Sequence, residues 1–315
     1  MKYYFCKMKS NIKYAAILVL LSLVWGSSFI LMKRGMFDKA TGDAIFSSNQ
    51  VGAMRMLFAS SALLPIGLRS LKIISSFKIG LSLAVVSLAG SFIPAFLFTY
   101  AETGISSGYA GMLNSTTPIF TLLLGAILFN QKLISNQVLG VIIGTVGIVI
   151  LVNGVTVVDT SGTLLHVFAI VFATLCYALS TNTIRYNLSH LPPLKVTSVA
   201  FVFAFLPAVI LFFYFDTPKT IVENDYATKA LIYVLILAIV GTSLSVILFN
   251  YLISKTSALF ASSVTYLIPI VAVLIGFIDG ETISWIQVVA MFIILAGIFT
   301  ANRMRKQIVK KAVDL

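Results

Sequence analysis

Charge is what this sequence has least of. Only 10% of its 315 residues are Asp, Glu, Lys or Arg, against about 25% in an ordinary soluble domain. With 59% hydrophobic residues and a mean hydropathy of +1.03, a water-soluble globular protein is excluded. The acids number ten and the histidines two, too few to gather the carboxylate and imidazole clusters that metal centres and acid/base catalysis require. No metal and no cofactor is expected, and most enzyme readings are weakened. The two cysteines, Cys6 in a basic N-terminal segment and Cys176 inside an apolar run, allow neither a disulfide framework nor a zinc spacing.

Long apolar runs are abundant instead. Ten of them, at 14–32, 51–68, 79–100, 106–129, 136–152, 164–184, 196–215, 230–251, 258–278 and 284–301, are each near the ~20 residues that cross a bilayer core. In lipid a segment must satisfy its own backbone hydrogen bonds, and these runs lack the alternation of a β-barrel. The sequence therefore predicts an all-α polytopic membrane protein with ten transmembrane helices. The first run follows Lys2, Lys7, Lys9 and Lys13 as a signal peptide would, yet it is too long for a cleaved apolar core and ends at Lys33-Arg34; a retained span is expected.

The net charge of +12 raises the question of nucleic acid, but the distribution answers it differently. With the N-terminus in the cytoplasm, sixteen Lys and Arg fall on the cytoplasmic side and five on the other, with Arg55 inside a span. That bias places both termini in the cytoplasm. The closing run Arg303, Arg305, Lys306, Lys310 and Lys311 reads as a topology anchor against lipid, not as a nucleic-acid surface.

The two halves of the chain also repeat one another. Gly90-Ser91 matches Gly241-Thr242, Phe98-Thr99-Tyr100 matches Phe249-Asn250-Tyr251, and Pro118 matches Pro269, all 151 positions apart. Leu64-Pro65 matches Leu206-Pro207 at 142, and Trp25-Gly26 matches Tyr177-Ala178 at 152, so the offset changes fall in loops. Five spans per copy is an odd number, so the second copy enters the membrane from the opposite side. Two inverted five-helix repeats of this kind can open a central cavity to one side and then the other.

Trp25-Gly26-Ser27-Ser28-Phe29 in span one, Arg55-Met56-Leu57-Phe58-Ala59 opening span two, Pro118 in span four and Gly280-Glu281 before Gly297 in the last hairpin resemble the drug/metabolite transporter superfamily, EamA type. The resemblance covers residues 14–301. It implies a secondary transporter of the bacterial plasma membrane, commonly an exporter of amino acids or other small metabolites. It divides the chain into a basic N-terminus (1–13), a first repeat (14–152), a linker (153–163), a second repeat (164–301) and a basic tail (302–315). One departure stands out: the first repeat carries Asn130-Gln131 where the family has Gly-Glu, so its cytoplasmic hairpin lacks the usual carboxylate.

A carrier for polar solutes needs hydrogen-bonding groups at mid-membrane, where an unsatisfied polar group is expensive. Asn114, Thr117 and Thr121 fall on one face of span four beside Pro118, and span nine repeats the device with Ser262, Thr265, Tyr266 and Pro269. The alternative is that these residues only pack or kink their helices. Tyr100 and Tyr251, with Thr99 and Asn250 beside them, suit opposite mouths or ordinary interfacial anchoring. Trp25 is mid-span and suits either a cavity wall or a packed core; Tyr177, Thr181 and Asn182 occupy the related part of span six. Arg55 could hold a substrate carboxylate, snorkel to the outer interface or pair with a loop acid. No acid lies at the midplane, Glu102 and His166 being the nearest titratable candidates, so facilitated diffusion or exchange is expected rather than tight proton coupling.

The expected partners are a small-molecule substrate and the bilayer, with the chain acting as a monomer or homodimer. The competing class is a membrane-embedded enzyme acting on lipids or lipid-linked substrates, which would need clustered acids or histidines; the largest polar loop, 216–229, has no His or Cys. A receptor or scaffold is disfavoured by short loops, and no Walker loop is present.

Overall fold

The computed structural model describes residues 2–153, 160–255 and 264–303. The described residues are helical apart from loops and a single bridge between Phe37 and Ala44. In chain order the helices are α1 (Lys2–Met36), α2 (Ser48–Arg69), α3 (Phe77–Ala101), α4 (Ser107–Phe129), α5 (Ser135–Asn153), α6 (Thr160–Thr183, running on as a wider turn to Leu188), α7 (Pro193–Tyr214), α8 (Ala227–Phe249, continuing to Lys255), α9 (Val264–Ile278) and α10 (Trp285–Arg303). Eight contain stretches long and apolar enough to cross a membrane; the described parts of α9 and α10 are shorter apolar helices. The start expected for span nine, 258–263, lies outside the described residues, as do the linker residues 154–159 and most of the basic tail. The polar 216–229 loop holds a two-turn helix, Thr217–Glu223, tied to the start of α2 by Gln50, whose amide donates to the Phe215 carbonyl at 2.9 Å and to Thr220 Oγ1 at 2.7 Å.

Local sequence sets where several helices begin. Ser47, Ser76 and Ser106 each accept a backbone N–H three residues on, closing the first turns of α2, α3 and α4, and Gln50 returns a bond to the Ser47 amide. These are the caps that orphan N–H groups require at an interface where water is scarce. Large apolar side chains then face outward along the bundle: Phe168, Ile210 and Phe277 are each more than half exposed, as suits a surface bathed in lipid tails.

The repeat is visible in the backbone. α3 and α8 each contain a π-turn, at Leu88–Phe92 and Ile239–Leu244, and these contain the matched pairs Gly90-Ser91 and Gly241-Thr242. In α8 the carbonyls displaced by the wider turn are met by hydroxyls five residues on, Thr242 to Leu237, Ser243 to Ala238 and Ser245 to Val240. The copies also interpenetrate. α1 packs on α8 and α9 of the second copy, while α6, its counterpart, packs on α3 and α4 of the first. A Cβ on Gly90 would lie 2.5 Å from Ser180 Oγ of α6, and one on Gly241 would lie 3.1 Å from Ser28 Oγ of α1. α2 pairs with α7, and α5 with α10. In that last pair Gly140, Gly144 and Gly147 meet Gly297 and Ile294 at backbone distance, the close approach that small residues permit in membranes.

Candidate substrate path and polar mouths

Between the two copies the aromatic residues form related pairs. Trp25 of α1 tilts against Phe249 of α8 with ring centroids 5.2 Å apart, and Tyr177 of α6 stacks on Phe98 of α3 at 5.9 Å. Trp25, Tyr100, Tyr177 and Tyr266 all flank one hydrophobic core that includes Phe29, Met32 and Ile268. The indole N–H of Trp25 donates to the Gly241 carbonyl at 3.0 Å. In this conformation it is engaged with the π-turn and not open to a solute.

Among the described residues Arg55 makes no ion pair. Its guanidinium reaches across to Thr242 Oγ1 at 3.3 Å and Met32 Sδ at 3.5 Å, within electrostatic reach of Tyr177 and Glu102. Both hydrogen-bond partners are neutral, and the thioether is a weak acceptor for a guanidinium that has five donors.

Span four departs from a regular face. α4 tightens at Ser115 and Thr116, whose amides bond back only three residues, so Asn114 ends one segment and Thr117 begins the next. Pro118 brings no N–H to the Asn114 carbonyl, and the Thr117 hydroxyl donates to that carbonyl instead, at 2.8 Å. Thr121 bonds the Thr117 carbonyl and Thr181 the Tyr177 carbonyl, each at 2.8 Å, and the Asn182 amide joins α6 to α4 through the Thr121 carbonyl at 3.0 Å. Of these hydroxyls, that of Thr117 stands in for the backbone bond that Pro118 cannot make. The half-buried Asn114 side chain makes no hydrogen bond among the described residues. Thr265 and Tyr266 stand half-buried in the first turn of α9, with Pro269 buried one turn on. Ser262 and the Asn250 side chain lie outside what is described.

Tyr100 and Tyr251 occupy opposite ends. Tyr100 stacks on His166 with centroids 4.9 Å apart, and Tyr251 accepts a bond from Lys13 at 3.2 Å.

At the Tyr100 end the structure assembles a cluster that the sequence did not announce. A recess of about 490 Å³ opens between the end of α1, the α3–α4 turn and the α9–α10 turn. Lys33 pairs with Glu281 at 2.7 Å, while Arg34 and Lys39 both pair with Asp279. Glu281 also accepts the Ser107 and Gly108 amides, at 2.9 and 3.0 Å, from the first turn of α4. Burial pushes its carboxyl up, but the Lys33 ammonium and these amides outweigh burial and hold it below the usual carboxylate range. A single side chain therefore ties α1, α4 and the α9–α10 turn together.

The opposite end carries a neutral version of this device. Asn130 takes the left-handed conformation (φ 52°) that Gly280 takes in the other copy (φ 96°), which Asn tolerates better than most residues. Gln131 Oε1 then accepts from Arg185 Nη1 and from the Tyr186 hydroxyl, both at 3.1 Å. Lys33 and Arg185 stand 152 positions apart, and Gln131 and Glu281 stand 150 apart. The missing carboxylate of the first repeat is thus replaced by an amide oxygen that makes the related contact without charge. These pairings could have been found by extending the repeat alignment to span ends.

Fold and site together define a multi-pass membrane protein of two interlocked repeats with a polar mouth at each end. The profile of the EamA-like transporter family matches residues 12–153 and again 164–303, and the chain belongs to that family. An "uncharacterized transporter" of Archaeoglobus fulgidus is 26% identical over 65% of this chain and 71% of its own. A "probable amino-acid metabolite efflux pump" of Salmonella typhimurium is 25% identical over 89% of this chain and 92% of its own. A crystal structure with 14% identity matches with a TM-score of 0.59 over 94% of this chain and 98% of that one, a likeness of fold. The chain is therefore a membrane transporter, in line with its membership in the drug/metabolite transporter superfamily.

Proposed function

We propose that the protein is an exporter of amino acids or related small metabolites in the bacterial plasma membrane, working by alternating access through ten spans arranged as two inverted repeats, with both termini cytoplasmic. The observation that carries this reading is the pair of related mouths, Lys33–Glu281 and Arg185–Gln131, at opposite ends of two cross-packed copies. Each ties the end of one copy's first helix to the hairpin between the other copy's fourth and fifth helices, so breaking one while keeping the other opens a single side. Between them lie Arg55 and the Trp25 and Tyr177 aromatic pairs, suited to a solute with a carboxylate and an apolar body. The name of the Salmonella relative agrees with that class. Among the described residues no carboxylate lies inside a span, which favours facilitated diffusion or exchange; uphill accumulation driven by a pH gradient alone would defeat that part.

The test is untargeted metabolite profiling of medium from cells overproducing the chain, against cells holding equal membrane levels of the Asn114→Ala, Thr265→Ala double variant. A solute enriched outside only with the intact chain supports export and names the substrate. No difference in solutes, joined to altered membrane lipids, transfers the reading to an enzyme.

A further inference from the structure

One carboxylate of the outer mouth takes no part in its ion pairs. Glu102, at the end of α3, is 3% exposed, and neither of its oxygens has a hydrogen-bond partner. Charged and titratable groups surround the recess from every element that meets there: Lys33 and Arg34 in α1, Lys39 in the loop after it, Arg55 in α2, His166 in α6, and Asp279 and Glu281 in the α9–α10 turn. The side chains of all of these are engaged elsewhere. Lys33 holds Glu281, Arg34 and Lys39 hold Asp279, Arg55 reaches Thr242 and Met32, and His166 Nε2 meets the Thr103 hydroxyl at 3.2 Å. An ionised carboxylate that is buried without a donor is among the costliest groups a protein can hold, and taking up a proton removes most of that cost. Burial first, and then the negative charge of Glu281, raise the Glu102 carboxyl well above the usual carboxylate range; the charges of Lys33 and Arg55 and the nearby backbone N–H of Lys33, too poorly placed to make a hydrogen bond, oppose this without cancelling it.

We propose that Glu102 is a proton-binding site of the outer mouth: closure seals a protonated Glu102 beneath the Lys33–Glu281 pair, and opening hydrates the carboxyl and releases the proton to the outside. The proposal rests on the alternating-access reading for the opening step. One proton is bound from outside on closing and returned there on opening, so the site sets how long the mouth stays shut and drives no net proton flux. The closed mouth holds this proton more tightly than the open one, so the contribution of Glu102 to closure is present at low pH and lost as pH rises through its raised value. Glu281 has the opposite sign: its contribution is lost as pH falls through its lowered value. Closure is favoured between those two limits, and opening with rising external pH is the signature of Glu102.

Ser107, at 1% exposure in the first turn of α4, reports the opening. In intact cells, and in a chain whose Cys6 and Cys176 have been replaced, the labelling rate of Ser107→Cys by a membrane-impermeant maleimide is measured at external pH 5.5 to 8. Each rate is divided by that of Thr41→Cys in the exposed α1–α2 loop, which removes the intrinsic pH dependence of the thiol. The expected result is a normalised rate that rises about tenfold across the range with Glu102 present, one pH unit of differential proton affinity being a tenfold change in the ratio of the two states. Glu102→Gln should give a low, flat profile, and Glu102→Asp should keep a titration, which also guards against misfolding of the Gln variant. An identical titration in Glu102→Gln, or a native rate that does not change with pH, overturns the proton site and leaves the carrier reading intact. If the mouth-loosening Glu281→Gln variant never labels, the mouth does not open, and alternating access fails together with this proposal.

Discussion

Arg55 shows what a single residue discloses and what it hides. That a cation stood inside span two was legible in the sequence; that it would turn inward to Thr242 and Met32 was not, because the π-turn of α8 that presents Thr242 leaves no mark in hydropathy. If the guanidinium holds a substrate carboxylate, Arg55→Gln should lower export of acidic or zwitterionic solutes by at least about tenfold, the scale of a charged hydrogen bond, and spare neutral ones. Equal loss of both at matched membrane levels would assign Arg55 to folding. Trp25 teaches the same lesson, since its mid-span position was readable but the carbonyl it meets was not. At the other mouth, Gln131→Glu would put a charge beside the exposed Arg185. A charge-assisted contact is stronger than a neutral one, though solvent screens it here. Initial export rates should fall about twofold as the cytoplasmic mouth opens less often; an unchanged or faster rate would deny that pair a role in closure.

At the level of elements, apolar length was the readable quantity. The eight helices long enough to cross a membrane begin and end within a few residues of sequence-based spans, and α1 and α6 overrun most, reaching Met36 and Leu188; in α1 the added turn carries Lys33 and Arg34 to their partners Glu281 and Asp279. The interruption of α4 was only half legible: Pro118 announced a fault, but the tight turn and its repair by Thr117 depend on geometry. Glycine spacing in α5 and α10 was legible as composition and became meaningful only once the two helices were seen to touch. A Cβ on Gly297 would lie 2.6 Å from the Gly144 amide nitrogen and 2.7 Å from the Gly140 carbonyl, backbone that cannot step aside. Gly297→Ala should therefore destabilise this pair by about 1–3 kcal/mol, seen as a lower unfolding midpoint in detergent by intrinsic fluorescence. A midpoint equal to the native one would mean that α5 and α10 are not so closely packed in the membrane.

For the whole molecule, charge bias and internal repetition were the legible features, and cross-packing was not. A sequence shows that two halves are alike without showing that each surrenders its first helix to the other. The proposed orientation has a direct check: a C-terminal fluorescent protein that matures only in the cytoplasm should glow, and the same protein inserted after Asp43, in the α1–α2 loop, should stay dark. Fluorescence from the second fusion would reverse the topology and move the Glu102 recess to the inner face.

The exchange of first helices also bears on how such a chain could be divided. With α1 seated against α8 and α9, and α6 against α3 and α4, neither copy closes upon itself. A fragment ending before α6 would carry a vacant groove and an unhoused helix. Two such fragments made separately would complement one another only when inserted with opposite polarity, each supplying the stave that completes its neighbour's barrel.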